Sequence, residues 1–119
     1  LIPYLYKAIA TCPQYTLADI DLGIANFEIS QYDSAEIYFK RAWELDRNNI
    51  RANRNLAILY FTEKKFELSI NHYKKLLEFT PNDPDLFHDI GFVYNKMGNA
   101  DSAKKYEALA RQGNPGFKL

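Results

Sequence analysis

Three groups of residues have the types and spacing that could do chemistry. Asp85, His88 and Asp89 stand at i, i+3 and i+4, which on a helix would bring two carboxylates and an imidazole to one face, a donor set suited to a transition metal. They supply three ligands at most and no second cluster backs them, so polar helix surface is the expectation and no metal is assigned. Arg51 and Arg54, one turn apart, could fork onto a carboxylate or phosphate; the competing use is pairing with Asp21, Asp85 or Asp89. Asp21, Asn55 and Asp89 recur every 34 residues. An amide or carboxylate at that interval could hydrogen-bond an extended peptide backbone without reading its side chains. Alternatively, the three are solvated polar residues or ties between helices. His72 has Lys and Asn neighbours and no acid or nucleophile beside it. The five glycines are scattered rather than gathered into a phosphate-cradling loop. Neither catalytic residues nor a cofactor is expected.

The elements that would position these residues follow from a period. Pro13, Pro81 and Pro115 lie on a 34-residue grid whose missing member is Arg47. Leu22, Leu56 and Ile90 keep the same interval, as do Gly23, Ala57 and Gly91, and Ala35, Ser69 and Ala103. A period of this length marks stacked helical repeats. Within each unit the apolar spacing is helical, with Leu17, Ile20, Ile24 and Phe27 recurring at three- and four-residue steps. The expected helices cover about 16–29, 32–45, 50–63, 66–79, 84–97 and 100–112. Gly98 permits the left-handed turn that ends a helix, and Pro84 suits a helix start.

Residues 1–15 read as a lone second helix, with Leu5 and Ala8 one period before Phe39 and Ala42. The expected organisation is therefore one domain over 1–119, with a half repeat at 1–15 and full repeats at 16–49, 50–83 and 84–117. That makes about three and a half units and seven helices in an all-α right-handed solenoid of antiparallel helix pairs. The chain opens Leu1-Ile2-Pro3 without a Met or a charged leader and reads as a piece of a longer protein.

Composition narrows the partners. Lys plus Arg and Asp plus Glu both total 15, so the net charge is zero, and the basic surplus that nucleic acid or an anionic membrane calls for is missing. Cys12 is the only cysteine, which rules out an internal disulfide. Nine tyrosines and eight phenylalanines suit helices that fill the spaces between repeats with large flat side chains.

The joint register resembles the tetratricopeptide repeat family, whose pattern runs W-x₂-L-G-x₂-Y, A-x₃-F and P. The repeats read Asp19-x₂-Leu22-Gly23-x₂-Asn26, Ala35-x₃-Phe39, Arg47; Asn53-x₂-Leu56-Ala57-x₂-Tyr60, Ser69-x₃-Tyr73, Pro81; and Phe87-x₂-Ile90-Gly91-x₂-Tyr94, Ala103-x₃-Glu107, Pro115. Glu107 departs from the expected aromatic, Ala100 replaces Tyr32 and Phe66, and Tyr106 stands one position early.

The resemblance implies a non-enzymatic protein-binding module whose first helices line a concave groove. Carried over, that groove would display Ile20, Asp21, Ile24, Phe27, Arg51, Arg54, Asn55, Ile58, Phe61, Asp85, His88, Asp89 and Phe92. The Asp21, Asn55 and Asp89 series is similar to the backbone-gripping asparagines of the sugar-transferring tetratricopeptide superhelix. The chaperone-tail clamp of some relatives is disfavoured, because Ile20, Ile24, Asp85 and Asp89 stand where its cations and amide should be. On the outer face, Lys40-Arg41 and Lys74-Lys75 interleave with Glu36, Glu44 and Glu78, which reads as a neutral, salt-bridged surface. The expected partner is a peptide or helix of another protein. The alternatives are self-association through the terminal helices, with Tyr106 and Leu109 at one open end, and a substrate-recruiting arm of a larger enzyme.

Overall fold

The computed structural model describes residues 13–113, which form six helices: α1 (Pro13–Glu28), α2 (Tyr32–Leu45), α3 (Ile50–Thr62), α4 (Phe66–Leu77), α5 (Pro84–Met97) and α6 (Ala100–Gly113). The fold is all-α, built of antiparallel helix pairs in a helical-repeat arrangement. The seventh expected helix, within residues 1–15, lies almost wholly outside the described residues. α1 begins at Pro13, about one turn before the expected start at Thr16. A proline has no N–H to lose in the first turn of a helix, so it can open one as readily as it closes the preceding unit.

The breaks repeat as faithfully as the helices. Ser30 (φ 62°), Lys64 (φ 62°) and Gly98 (φ 84°) stand 34 residues apart in the left-handed region. At each, two backbone N–H groups fold back onto the helix just ended. Ser30 N donates to Phe27 O (2.9 Å) and Gln31 N to Asn26 O (2.8 Å), with the same pairs at Lys64/Lys65 and Gly98/Asn99. These bonds satisfy carbonyls that a helix end would otherwise leave open. In the first two breaks an aromatic pair spans the turn, Phe27 to Tyr32 (5.4 Å between ring centroids) and Phe61 to Phe66 (5.8 Å). The third has Asn95 and Ala100 there and relies on Gly98. Helix starts are capped by Asn49, whose Oδ1 accepts from Ala52 N (2.9 Å), and by Asp83, whose Oδ1 accepts from Asp85 N (3.0 Å).

The chain divides into two compact units, Leu1–Leu59 and Tyr60–Leu119. In the first, α1 packs on α2, and Ile20, Ala42 and Ala52 form a fully buried cluster with Ile24 and Trp43 at its edge. Gly23 lies against the Phe39 ring so closely that a Cβ there would collide with it. In the second, α6 packs on α5 and α4 on α5, around Ile70, Leu76, Leu86, Ile90, Val93 and Ala110. Tyr106 compensates for Glu107 at the neighbouring pattern position. It is half-buried, stacked on Tyr94 (5.6 Å) and tilted against Phe87 (6.2 Å), so α6 keeps an aromatic anchor one residue early. The Lys74 ammonium hydrogen-bonds the Tyr94 hydroxyl and lies over the Tyr94 and Tyr106 rings, which raises its pKa above the usual lysine value.

The position where the family pattern has Trp is buried in all three units and solved three ways. Phe87 packs as an aromatic. Asn53 donates from Nδ2 to Arg47 O (3.0 Å) and Asn49 O (2.9 Å), tying down the turn that lacks the grid proline. Arg47 itself stacks over the Trp43 ring at 4.3 Å. Asp19, 3 % exposed, takes a forked ion pair from Arg41. Arg41 is exposed and salt-bridged, and its partner is the buried Asp19 of α1 rather than one of the interleaved glutamates.

Candidate functional site

Within the first unit, the C-terminal half of α1 and the middle of α3 enclose a pocket of about 250 Å³. Ile24, Phe27, Glu28, Phe39, Asn55 and Ile58 line it. The walls are supplied by helical spacing. Ile24, Phe27 and Glu28 fall at i, i+3 and i+4 on α1, Asn55 and Ile58 at i and i+3 on α3, and Phe39 reaches in from α2 with 1 % exposure. The Phe39 ring lies here because Gly23 offers no side chain to displace it. The volume is below the roughly 300–1,000 Å³ typical of small-molecule sites. It suits a single large apolar side chain presented by a longer ligand.

Two polar groups edge this apolar space. Asn55 donates its Nδ2 to Arg51 O at 2.9 Å, which fixes the amide and leaves Oδ1 as the acceptor. The Glu28 carboxylate is exposed. The other expected members of the first unit distribute differently. Arg51 pairs with Asp21 at 3.5 Å, both well exposed, so this arginine is partly committed and the pair contributes little to stability. Arg54 is exposed. Ile20, expected to face a ligand, is 0 % exposed and offers no surface. The small side chains of Ala42 and Ala52 leave a space that Ile20 fills.

In the second unit α5 presents an exposed aromatic residue. Phe92, 45 % exposed, meets Phe61 from the end of α3 at 5.5 Å and His88 at 6.4 Å. The Lys96 ammonium lies 5.3 Å from the centre of the Phe92 ring. His88 thus stands in an aromatic contact, with Asp89 half-buried and Asp85 exposed beside it. Among the described residues no group of three His, Cys, Asp or Glu side chains is placed to hold a metal. No helix among them is long and apolar enough to cross a membrane.

Sequence reasoning passed over Phe39 as a pocket wall; the signal was the invariant small-residue period at Gly23, one helix crossing away. His72, which in the sequence has no acid or nucleophile beside it, is half-buried and stacked on Tyr60 at 5.7 Å. Burial lowers its pKa from the ordinary 6.5 to about 4.

The family model described as TPR repeat matches residues 59–98. Stress-induced-phosphoprotein 1 of Caenorhabditis elegans is 30% identical over 96 residues, covering 81% of this chain and 30% of that protein. Photosystem I assembly protein Ycf3 of Prochlorococcus marinus (strain MIT 9301) is 33% identical over 79 residues, covering 64% of this chain and 46% of that one. A crystal structure of MamA superposes with a TM-score of 0.77 at 27% identity, covering 84% of this chain and 58% of that chain. The chain thus spans half or less of these curated relatives.

Proposed function

We propose that this chain, a member of the tetratricopeptide-repeat family, is a non-enzymatic module that binds a peptide or helix of a partner protein on the inward faces of its first helices. The single observation that carries this is the pocket of Ile24, Phe27, Phe39 and Ile58, an apolar space of about 250 Å³ left open beside a fixed Asn55 amide. Folded chains normally fill or close such a space, and one held open between rigid helices suits an incoming side chain. Burying a Leu or Phe there would contribute about 1.5–3 kcal/mol, enough for tenfold or more in affinity.

The ligand chemistry follows from the rim. The Asn55 oxygen accepts a backbone N–H, and the Glu28 carboxylate favours a Lys or Arg near the apolar anchor. The exposed Phe92 and its Phe61 neighbour offer a second apolar contact within their own unit. The name of the Prochlorococcus relative, an assembly protein, is in keeping with work done by binding other proteins.

Selection of displayed random peptides on the immobilised chain tests this. The expected enrichment is a bulky apolar residue with a basic neighbour. Selection of peptides lacking any apolar anchor, or of none that bind, would overturn it.

A further inference from the structure

At 3.6 residues per turn, Tyr94 and Met97 stand on the flank of α5 turned away from His88 and Phe92. On that flank α4 and α5 enclose a groove of about 290 Å³. α4 lines it with Glu67, Ile70, Asn71 and Lys74, at i, i+3, i+4 and i+7, and α5 with Tyr94 and Met97. Ile70 is buried and Tyr94 and Met97 are half-buried, so the floor is apolar. Met97 also borders a shallower hollow of about 500 Å³ over the α5–α6 turn, with Ala100 and Asp101 at its edge. One and two periods before Ala100, Phe66 and Tyr32 each set a ring against a Phe near the end of the preceding helix. Ala100 brings no ring, which leaves the space beside Met97 open.

The charges around this space select its occupant. Glu67 and Asp101, in the first turns of α4 and α6, are both exposed. Among the described residues neither carboxylate has an ionic or hydrogen-bonding partner. The Lys74 ammonium is already engaged by the Tyr94 hydroxyl and the Tyr94 and Tyr106 rings. The charge left to meet a ligand is therefore negative, and a cationic side chain complements it. The Met97 thioether packs well on an incoming ring, and the exposed Asn71 amide offers a donor and an acceptor to a peptide backbone. We propose that this groove is a second binding site, separate from the α1–α3 pocket, for a peptide segment of a partner protein. That segment presents an aromatic or large aliphatic side chain to Met97 and Ala100, and a Lys or Arg to Glu67 and Asp101.

The test selects displayed random peptides on the full chain and depletes them on the same chain carrying Glu67→Gln and Asp101→Asn. Depletion removes peptides held by the α1–α3 pocket, which both chains share. Both exchanges are at exposed positions, and circular dichroism checks the fold. The surviving peptides should carry Lys or Arg within about three positions of Phe, Tyr, Leu or Met, roughly the 10 Å that three extended residues span. One survivor, made synthetically, should bind Ala100→Phe at least tenfold more weakly than the parent chain, because the added ring takes the place that Tyr32 and Phe66 occupy in theirs. Its affinity for the parent should also fall as salt is raised. An absence of survivors, survivors without a basic residue, or undiminished affinity in Ala100→Phe would overturn the proposal. So would a dimer of the parent chain in light scattering that Ala100→Phe abolishes, which would give the groove to a second copy.

Discussion

Arg41 grips both carboxylate oxygens of Asp19, Nη2 to Oδ1 at 2.7 Å and Nε to Oδ2 at 3.0 Å, joining α2 to α1 across 22 residues of sequence. The carboxylate is buried and the guanidinium half in solvent, so removing the cation strands a charge in the interior. Arg41→Ala should destabilise by roughly 2–3 kcal/mol, less than a fully buried pair would lose, because solvent still reaches one partner. Lys40→Ala, one residue away, should stay within about 0.5 kcal/mol. Denaturant unfolding of both variants checks this, and Asp19→Leu combined with Arg41→Ala should recover part of the loss.

The periodic left-handed turns make a paired prediction. Lys64 adopts φ 62° with a side chain where Gly98 adopts φ 84° without one. Lys64→Gly should relieve a strain of about 1–2 kcal/mol, offset in part by the greater freedom of the unfolded glycine chain, for a net gain of about 0.5 kcal/mol. Gly98→Ala should cost about 1 kcal/mol although a Cβ there would meet no atom within 4 Å. Thermal unfolding of the two variants gives the signs.

Gly23 and Gly91 occupy the same place in the period and should respond differently. A Cβ on Gly23 would strike the Phe39 ring, whereas one on Gly91 would first meet Ala103 O and the Tyr106 Cβ at 3.4 Å. Gly23→Ala should cost about 1–3 kcal/mol through displacement of the ring. Gly91→Ala should be within about 0.5 kcal/mol of neutral, the gain in helix propensity offsetting a tight contact.

His72 gives stability a pH dependence. Its folded pKa of about 4 is below the ordinary 6.5, so between those values the unfolded chain binds more protons than the folded one. The contribution of the neutral, buried ring is complete above about pH 6.5 and is lost as pH falls towards 4. Its half-exposure keeps the loss smaller than the full shift would give. Unfolding free energies measured between pH 7 and 4 should fall less steeply in His72→Gln than in the parent chain.

The helix pattern was legible because Ser30, Lys64 and Gly98, and the caps Asn49 and Asp83, recur with the same period as the apolar residues. Individual side-chain directions were less so. Ile20 shares a period with Arg54 and His88, both at the surface, yet it turns into the space above Ala42 and Ala52, a choice made by neighbours on other helices. Arg41 looked like one more charge on a charged face because its partner Asp19 stands where the family pattern has Trp. The pocket was partly visible, since Ile24, Phe27, Asn55 and Ile58 were all expected on the binding face. Its Phe39 wall depends on the missing side chain at Gly23, a contact between helices that linear spacing does not report.

The most direct test of partner binding in the α1–α3 pocket is isothermal titration of one selected peptide against the parent chain and against Phe27→Ala and Ile58→Ser. Both variants should bind at least tenfold more weakly while still folded at the assay temperature, as thermal unfolding checks, and Lys40→Ala and Lys75→Ala should bind as the parent does. Undiminished affinity in Phe27→Ala and Ile58→Ser, with binding lost instead on changing Tyr106 or Leu109, would contradict it and move the site to α6.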